Sequence, residues 1–278
     1  MLHKNLKRKL RLIRQYAASR SRAAQYREDF NGVEVYCMFI GYPRSGHTLI
    51  GSLLDAHPEI VVGNELNTLR YVRYRFSRDQ IYWLLLENSR QFSNEGRWHT
   101  DYLYAVPGQW QGRYNRLRVI GDKRGSGSVK RICYHPGVYQ RLRQMVGVPI
   151  RTIHVVRNPF DNISTIFLKG RNKNFQESID YYFFLADEVL RLKQIIPDKD
   201  LMEVSHEDFI SDARLYLRQL TAFLGVEASP EYLDACSGIV FSKPHQTRHD
   251  APWTEEIIAS VTRRIQDYPF LANYSFEK

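Results

Sequence analysis

A glycine-bearing loop near residue 45 contains the residue types that bind phosphate. Gly41-Tyr-Pro-Arg-Ser-Gly-His-Thr48 fits the pattern G-x-x-x-x-G-x-T and stands between an apolar stretch, Val33 to Ile40, and a helix-patterned one, Thr48 to Ala56. Between a strand and a helix, backbone N–H groups and the helix N-terminus hold phosphate oxygens. His47 stands where a nucleotide-hydrolysing P-loop has its lysine, and the cation, Arg44, lies inside the loop. The loop therefore predicts a phosphate site that differs from the usual nucleotide site.

The residues after the other predicted strands do not supply a magnesium ligand. In magnesium-dependent nucleotide sites an aspartate that follows a hydrophobic strand helps to hold the ion. Here Ile150 to Val156 runs into Arg157, and Val119-Ile120 runs into Gly121 before Asp122. This pattern favours a phosphate ligand held without a metal ion over MgATP.

Strand-patterned and helix-patterned segments alternate along the chain. The predicted strands are Val33 to Ile40, a short strand before Glu65, Leu117 to Ile120, Ile150 to Val156 and Leu201 to Val204. The predicted helices after Thr48 to Ala56 include Asp161 to Leu168, Phe175 to Ile196 and Glu207 to Leu224. This alternation predicts a three-layer α/β/α fold with a central parallel sheet. The segment from Phe92 to Arg116 shows no periodicity, and we expect it to be irregular.

The first 30 residues differ in charge from the rest of the chain. Nine lysines and arginines stand there against one Glu and one Asp, a net charge of +7, whereas the other 248 residues net +3. Apolar residues recur every three or four positions, which predicts a basic amphipathic helix over residues 3–28; they are Leu2, Leu6, Leu10, Ile13 and Ala17. This helix either packs against the body or lies on an anionic membrane surface; a nucleic acid partner is not expected. We expect one domain over residues 31–278 after an N-terminal helix over residues 1–30.

Other features of the sequence bear on its compartment. The apolar runs are far shorter than the roughly 20 residues that a membrane-spanning helix needs, and the basic N-terminus lacks the apolar core of a secretory signal. Cys37, Cys133 and Cys236 are odd in number and far apart, which suits neither a disulfide framework nor a zinc site. The sequence predicts a cytoplasmic protein, with any membrane contact made peripherally through residues 1–30.

Four segments together resemble the sulfotransferases that use 3′-phosphoadenosine-5′-phosphosulfate (PAPS). Tyr42 to Thr48 is similar to their 5′-phosphosulfate loop, and Val156-Arg-Asn-Pro-Phe-Asp-Asn-Ile-Ser-Thr165 is similar to their 3′-phosphate strand and helix. Leu53 to Glu59 with the following Gly63-Asn-Glu65, and Gly121-Asp-Lys123, resemble most closely the protein-tyrosine sulfotransferase branch. The resemblance implies that the α/β domain is P-loop-like, a sulfotransferase domain over residues 31–278.

The resemblance also implies roles for single residues. Arg44 and Lys123 would contact the sulfonate and the leaving oxygen, and Glu65 would accept the proton of the acceptor hydroxyl. The 5′-phosphate would be held by the end of the loop and the start of the helix, namely Ser45, Gly46, His47 and Thr48. Arg157 and Thr165 would hold the 3′-phosphate.

Some of these roles have a second candidate, and one further residue is expected in a late loop. His57 is the alternative base, and Ser164 lies beside Thr165 but about 100° round a helix. His206 matches an aromatic position near the nucleotide, or it caps the following helix. In the basic segment Ser242 to Trp253, Arg248 is predicted to close over the nucleotide.

The sequence predicts, on this basis, a sulfotransferase that moves a sulfonyl group from PAPS to a hydroxyl and releases adenosine 3′,5′-bisphosphate (PAP) without a metal ion. The acceptor class stays open between a sugar, a small metabolite, a lipid and a tyrosine, and we expect the segment from Phe92 to Arg116 to contribute to its site. Two alternatives remain. One is an ATP-dependent phosphotransferase, which would need Mg²⁺, and the other is a non-catalytic protein that binds a nucleotide or another anion.

Overall fold

The computed structural model describes residues 2–100, 102–170, 174–241 and 243–277, and of residues 2–9 and 11 only the backbone. The strands are β1 Val35–Gly41, β2 Ile60–Asn64, β3 Trp98–His99, β4 Tyr102–Leu103, β5 Val119–Lys123, β6 Ile150–Val156 and β7 Leu201–Ser205. The helices up to β6 are α1 Leu2–Ala23, α2 Arg27–Asn31, α3 His47–Leu54, α4 Thr68–Arg73, α5 Arg78–Asn94, α6 Gly125–Tyr134 and α7 Val138–Val146. The later helices are α8 Pro159–Lys169, α9 Phe175–Ile195, α10 His206–Ser211, α11 Ala213–Phe223, α12 Pro230–Ser237 and α13 Glu255–Ile265.

A five-stranded parallel sheet forms the centre of the molecule, in the order β2-β5-β1-β6-β7. Successive side chains of a strand point to opposite faces, and those of β1 enter two different apolar clusters. Tyr36 and Ile40 pack in a cluster with residues of α8 and α9, whereas Cys37 and Phe39 pack in a cluster with residues of α3 and α11. Helices therefore cover both faces of the sheet, and the predicted three-layer α/β/α architecture is confirmed.

Several segments differ from the expectations for them. The helix predicted over Glu207 to Leu224 is wrong as a single helix, because Asp212 ends α10 and its carboxylate accepts a hydrogen bond from the backbone N–H of Leu215, which caps α11. The segment from Phe92 to Arg116 is not irregular throughout. It contains the end of α5 and a short antiparallel hairpin of β3 and β4.

The predicted N-terminal helix is present but ends earlier than residue 28. It ends at Ala23, and a 3₁₀ turn and α2 follow. Its second half packs against α5, where the Gln80 side chain donates to the Ser19 hydroxyl (3.0 Å) and the Tyr16 carbonyl (2.9 Å). Leu10 is exposed. The division of the chain at residue 30, and the membrane contact, stay predictions. Within the described residues, no helix has both the length and the apolar character needed to span a bilayer.

Candidate active site

The residues with predicted chemical roles converge at one edge of the sheet. Parallel strands end at the same edge, and each strand of the central sheet places a residue in a single cavity there, of about 1040 Å³. These residues are Arg44 after β1, Glu65 after β2, Lys123 at the end of β5, Arg157 after β6 and His206 after β7. Ligand sites of open α/β sheets lie at this edge.

The loop after β1 opens the N-terminus of α3 to the cavity. Among the described residues no side chain caps this terminus, and Gly46, the residue just before the helix, has a φ of 91°. A Cβ at Gly46 would lie 2.3 Å from Nδ1 of His206, so only glycine fits. Ser45 is fully buried, and its hydroxyl donates to the Tyr42 carbonyl (3.2 Å) and accepts from Asn162 (2.8 Å). The Ser45 side chain therefore fixes the loop, and the first N–H groups of the helix are left to bind an anion.

The Lys123 side chain contacts both α3 and Glu65, the candidate base. Its ammonium group donates to the Thr48 hydroxyl (3.0 Å) and to the Glu65 carboxylate (3.4 Å). The Lys123 side chain is 3% exposed and that of Glu65 is 54% exposed. Burial lowers the pKa of Lys123. Burial raises the pKa of Glu65, but Lys123 and Arg124 outweigh this effect, so that the pKa of Glu65 lies below its ordinary value.

Asp122 is a positioning residue that the sequence analysis missed. It is the penultimate residue of β5 and is buried. Its carboxylate accepts hydrogen bonds from the backbone N–H groups of Leu66 (3.0 Å) and Thr68 (2.7 Å). Those bonds hold the turn in which Glu65 adopts a left-handed φ of 60°. A signal existed in the sequence, since a carboxylate within an apolar strand needs hydrogen-bond donors nearby.

Arg157 forms a second cationic point in the cavity. Its guanidinium donates to the Arg44 carbonyl (3.1 Å), the Thr165 hydroxyl (3.3 Å) and the His245 carbonyl (2.5 Å). Its Nε is buried without a hydrogen-bond partner. Among the described residues, no carboxylate lies within ion-pair distance of Arg157, and burial lowers its pKa. A buried cation of this kind is costly unless an anion binds to it.

The hydroxyls of Thr165 and Ser164, which are neighbours on α8, have different hydrogen-bond partners. Thr165 lines the cavity and bonds to the Thr247 hydroxyl at 2.8 Å. The Ser164 hydroxyl instead donates to the Phe160 carbonyl (2.7 Å) and accepts from the Trp253 indole (2.8 Å). Thr165 is therefore the hydroxyl that faces Arg157.

The three histidines singled out in the sequence occupy different environments. His47 lines the cavity, but its Nε2 donates to the Ile40 carbonyl (3.0 Å) and burial lowers its pKa to about 4. His206 also lines the cavity, with Nδ1 buried and unpartnered, and burial lowers its pKa to about 3. His57 lies outside the cavity, where its ring bonds to the Glu227 carbonyl (2.9 Å) and the Glu59 backbone N–H (3.1 Å). His47 and His206 are therefore neutral at pH 7, and the alternative base, His57, is not brought to the site.

Arg248 does not reach the cavity either, contrary to its expected role over the nucleotide. It is 3% exposed and forms an ion pair with the buried carboxylate of Asp161 (2.6 Å). Its guanidinium also donates to the carbonyls of Ser275 (3.1 Å) and Phe276 (2.6 Å). Arg248 therefore ties α8 to the C-terminal segment. Its neighbours line the cavity instead, namely Lys243, Pro244, His245 and Thr247.

The β3–β4 hairpin forms a further wall of the cavity. His99, Tyr102 and Tyr104 line it, and the Tyr102 ring packs edge-on against Phe241 at 4.7 Å between centroids. The base of the hairpin is fixed by a buried ion pair between Arg97 and Asp55. The expectation that this segment contributes to the acceptor site stays a prediction, and the hairpin could not be predicted because two-residue strands are too short to show a periodic pattern.

Known proteins share both the sequence pattern and the fold of this chain. A family model described as the Sulfotransferase family matches residues 38–230. Among solved structures, sulfotransferase STF9 from Mycobacterium avium is 14% identical over 90% of this chain and 80% of that chain, with a TM-score of 0.52. A sulfotransferase from Alicyclobacillus acidocaldarius is 16% identical over 85% of this chain and 93% of that one, with a TM-score of 0.47. No curated protein matches the chain in a sequence search. The family match covers more than half of the residues, and the chain belongs to the sulfotransferase family.

Proposed function

We propose that the protein transfers a sulfonyl group from PAPS to a hydroxyl of an acceptor and releases PAP. The observation that carries this proposal is the buried guanidinium of Arg157, which forms no ion pair among the described residues and lies in the same cavity as the open N-terminus of α3. Two separate anion sites suit a ligand with anionic groups at both the 5′ and the 3′ position of one nucleoside. An ATP-dependent phosphotransferase would leave Arg157 without a phosphate, and neutral His47 replaces its essential lysine.

Different residues of the chain suit the 5′-phosphate and the 3′-phosphate. The N–H groups at the start of α3 and the Thr48 hydroxyl suit the 5′-phosphate, and Arg157 with Thr165 suits the 3′-phosphate. The unpartnered Nε of Arg157 and Nδ1 of His206 are buried polar atoms of the kind that a bound ligand satisfies. PAPS, when bound, supplies the activated sulfonyl group.

The residues around Glu65 suit the transfer itself. Glu65 is ionised at neutral pH and accepts the proton of the acceptor hydroxyl, as the oxygen–sulfur bond forms and the bond from sulfur to the phosphate oxygen breaks. Arg44 and Lys123 place positive charge where the leaving oxygen gains its electron pair. Because Lys123 contacts both Glu65 and Thr48, one ammonium group links the base to the phosphate end of the site.

The substitution Glu65→Gln tests this assignment. We expect turnover to fall roughly 10²- to 10⁴-fold, with PAP affinity unchanged, because the amide keeps the shape but cannot accept the proton. PAP formation from PAPS is measured with water, 4-nitrophenol and 4-nitrophenyl β-glucuronide as acceptors. Glu95→Gln, an exposed carboxylate outside the cavity, is the matched control. Equal turnover in Glu65→Gln and the control would remove Glu65 from the mechanism.

A further inference from the structure

Four arginines and a tyrosine form a surface beside the cavity, which we call the arginine patch. Arg70 and Arg73 lie one turn apart on α4, and Tyr74 follows at its end. Arg124 immediately precedes α6, and Arg131 lies two turns further along the same side of that helix. Because α4 packs against α6, the two arginine pairs form one surface.

The arginine patch carries positive charge without matching carboxylates. Among the ion pairs of the described residues, none involves Arg70, Arg73, Arg124 or Arg131, although other arginines on the surface, such as Arg118, do have carboxylate partners. Burial lowers the pKa of Arg131, and the charges of Arg124, Arg73 and Arg70 lower it further. Arg131 therefore lies close enough to the other three arginines to be repelled by them, and an anion bound beside it would relieve that repulsion.

The arginine patch is continuous with the candidate base. Arg124 lines the cavity, and its Nη1 donates to the backbone carbonyl of Glu65 (3.2 Å). The Nε of Arg124 is buried without a hydrogen-bond partner. A molecule bound at Glu65 can therefore extend from the cavity directly onto the patch.

The cavity itself also holds more positive charge than one nucleotide needs. Seven lysine and arginine side chains line it among the described residues, against the single carboxylate of Glu65. Arg44, Lys123 and Arg157 are assigned above to the phosphates and the sulfonate. Arg124 is not among these three, and its position beside Glu65 suits a contact with the second substrate.

We propose that the acceptor is an acidic saccharide, whose carboxylate or sulfate groups bind the arginine patch while one of its hydroxyls reaches Glu65. This proposal rests on the sulfonyl transfer proposed above. Arginine presents a planar fork that matches carboxylate and sulfate groups in a bidentate way. Tyr74 is 42% exposed within the patch, and its ring offers an apolar face with a polar end to a sugar ring. An acidic saccharide combines the acceptor hydroxyl, the ring and the repeated negative charge within one chain.

The test compares two triple variants that remove the same charge. In one, Arg70, Arg73 and Arg131 are changed to Gln; in the other, the exposed Arg14, Arg20 and Arg22 of α1 are changed to Gln. Calorimetry in the presence of PAP measures the affinity for an oligogalacturonate hexamer and a hyaluronan hexasaccharide, with neutral chitohexaose for comparison. We expect the acidic hexamers to bind wild type at least about tenfold more tightly than chitohexaose. The patch variant should lose about tenfold and the α1 variant less than about twofold, since each exposed charge contact contributes up to about 1 kcal/mol.

Three outcomes would overturn the proposal. The patch variant could bind the acidic hexamers as wild type does, both triple variants could lose the same affinity, or chitohexaose could bind as tightly as the acidic hexamers. Tighter, patch-dependent binding of polyglutamate, single-stranded DNA or phosphatidylserine vesicles than of either acidic hexamer would assign the patch to that class instead. PAP affinity is measured in each variant, so that a failure of PAP to bind wild type counts against the proposed function and not against the patch.

Discussion

The β3–β4 hairpin and the end of the cavity between β1 and α8 each contain a buried arginine, but the two arginines have opposite kinds of partner. Arg97, at the base of the hairpin, is 2% exposed and forms an ion pair with the fully buried Asp55. Asp55 also accepts from the Ser89 hydroxyl (2.6 Å) and two backbone N–H groups. Arg157, at 7% exposure, donates to two carbonyls and one hydroxyl and has no carboxylate partner among the described residues.

This difference separates cations that hold the fold from cations that hold a ligand. Removing one partner of a buried ion pair leaves an uncompensated charge and is strongly destabilising. Arg157 has no carboxylate within ion-pair distance among the described residues, so we expect its charge to stabilise the fold less than that of a paired arginine until an anion binds. Arg248, paired with Asp161, belongs with Arg97. Burial of an arginine near the site therefore does not by itself identify a ligand contact, and the proposed role of Arg157 rests on its lack of an ion pair among the described residues.

The largest expected effect is on stability at the base of the hairpin. Arg97→Met leaves Asp55 buried without its cation, and we expect the free energy of unfolding to fall by about 3–5 kcal/mol. Urea denaturation followed by circular dichroism measures the change. The affinity of the folded variant for PAP should equal that of wild type. A loss of less than about 1 kcal/mol would show that the hydrogen bonds to Asp55 alone hold this region.

At Arg157 we expect the opposite result, a loss of PAP affinity without a loss of stability. Arg157→Met should weaken PAP by at least about 2 kcal/mol, or roughly 25-fold, while the stability of the ligand-free protein stays the same or rises. Arg248→Met is the matched control, because it removes an equally buried arginine that has a carboxylate partner. It should lose stability and keep its PAP affinity. If both variants lose PAP affinity equally, the distinction between paired and unpaired arginines fails.

Lys123 lies between these two cases, because its carboxylate partner Glu65 is 3.4 Å away and partly exposed. The pKa of Glu65 is lowered and that of Lys123 is lowered. We expect kcat/KM to rise with pH through a value below the ordinary pKa of Glu and to fall through a value below the ordinary pKa of Lys. In Lys123→Arg the alkaline limb should move to higher pH, because guanidinium stays charged. A pH profile of PAP formation measures both limbs, and an unmoved alkaline limb would assign it to another group.

The smallest effect distinguishes the two hydroxyls of α8. Thr165→Val should weaken PAP by about 1 kcal/mol, which is the usual contribution of one hydrogen bond, and Thr165→Ser should restore the affinity. Ser164→Ala removes the partner of the Trp253 indole, so it should lower the stability by a similar amount and leave PAP binding unchanged. Calorimetry and urea denaturation of the three variants would contradict this view if Ser164→Ala alone weakened PAP.

The sequence predicted those parts of the fold that depend on residues close together in the chain. The loop after β1 could be predicted because Gly41 and Gly46 have the spacing of a turn that leads into a helix. Strand β6 was predicted to its last residue, since five of the seven residues from Ile150 to Val156 are β-branched and the segment lies between Pro149 and Arg157. The continuous helix over Glu207 to Leu224 was wrong because its apolar spacing continues through Asp212, whose role as a cap depends on one side-chain bond.

Pairings between distant residues could not be predicted in this way. Arg248 and Asp161 are 87 residues apart, and Arg97 and Asp55 are 42 apart. No local signal distinguishes such an arginine from one that binds a phosphate, so Arg248 was expected over the nucleotide. The sequence likewise could not show that the Ser45 hydroxyl would form its hydrogen bonds within the protein. In both cases the three-dimensional position of one acceptor decides the role of the side chain.

Calorimetric titration of the wild-type protein with PAP, AMP and ATP, each with Mg²⁺ and with EDTA, tests the central claim most directly. The account predicts that PAP binds equally well in both buffers and more tightly than AMP by at least about 2 kcal/mol, the contribution expected from the 3′-phosphate at Arg157. Preference for ATP in the presence of Mg²⁺, or equal affinity for PAP and AMP, would contradict it.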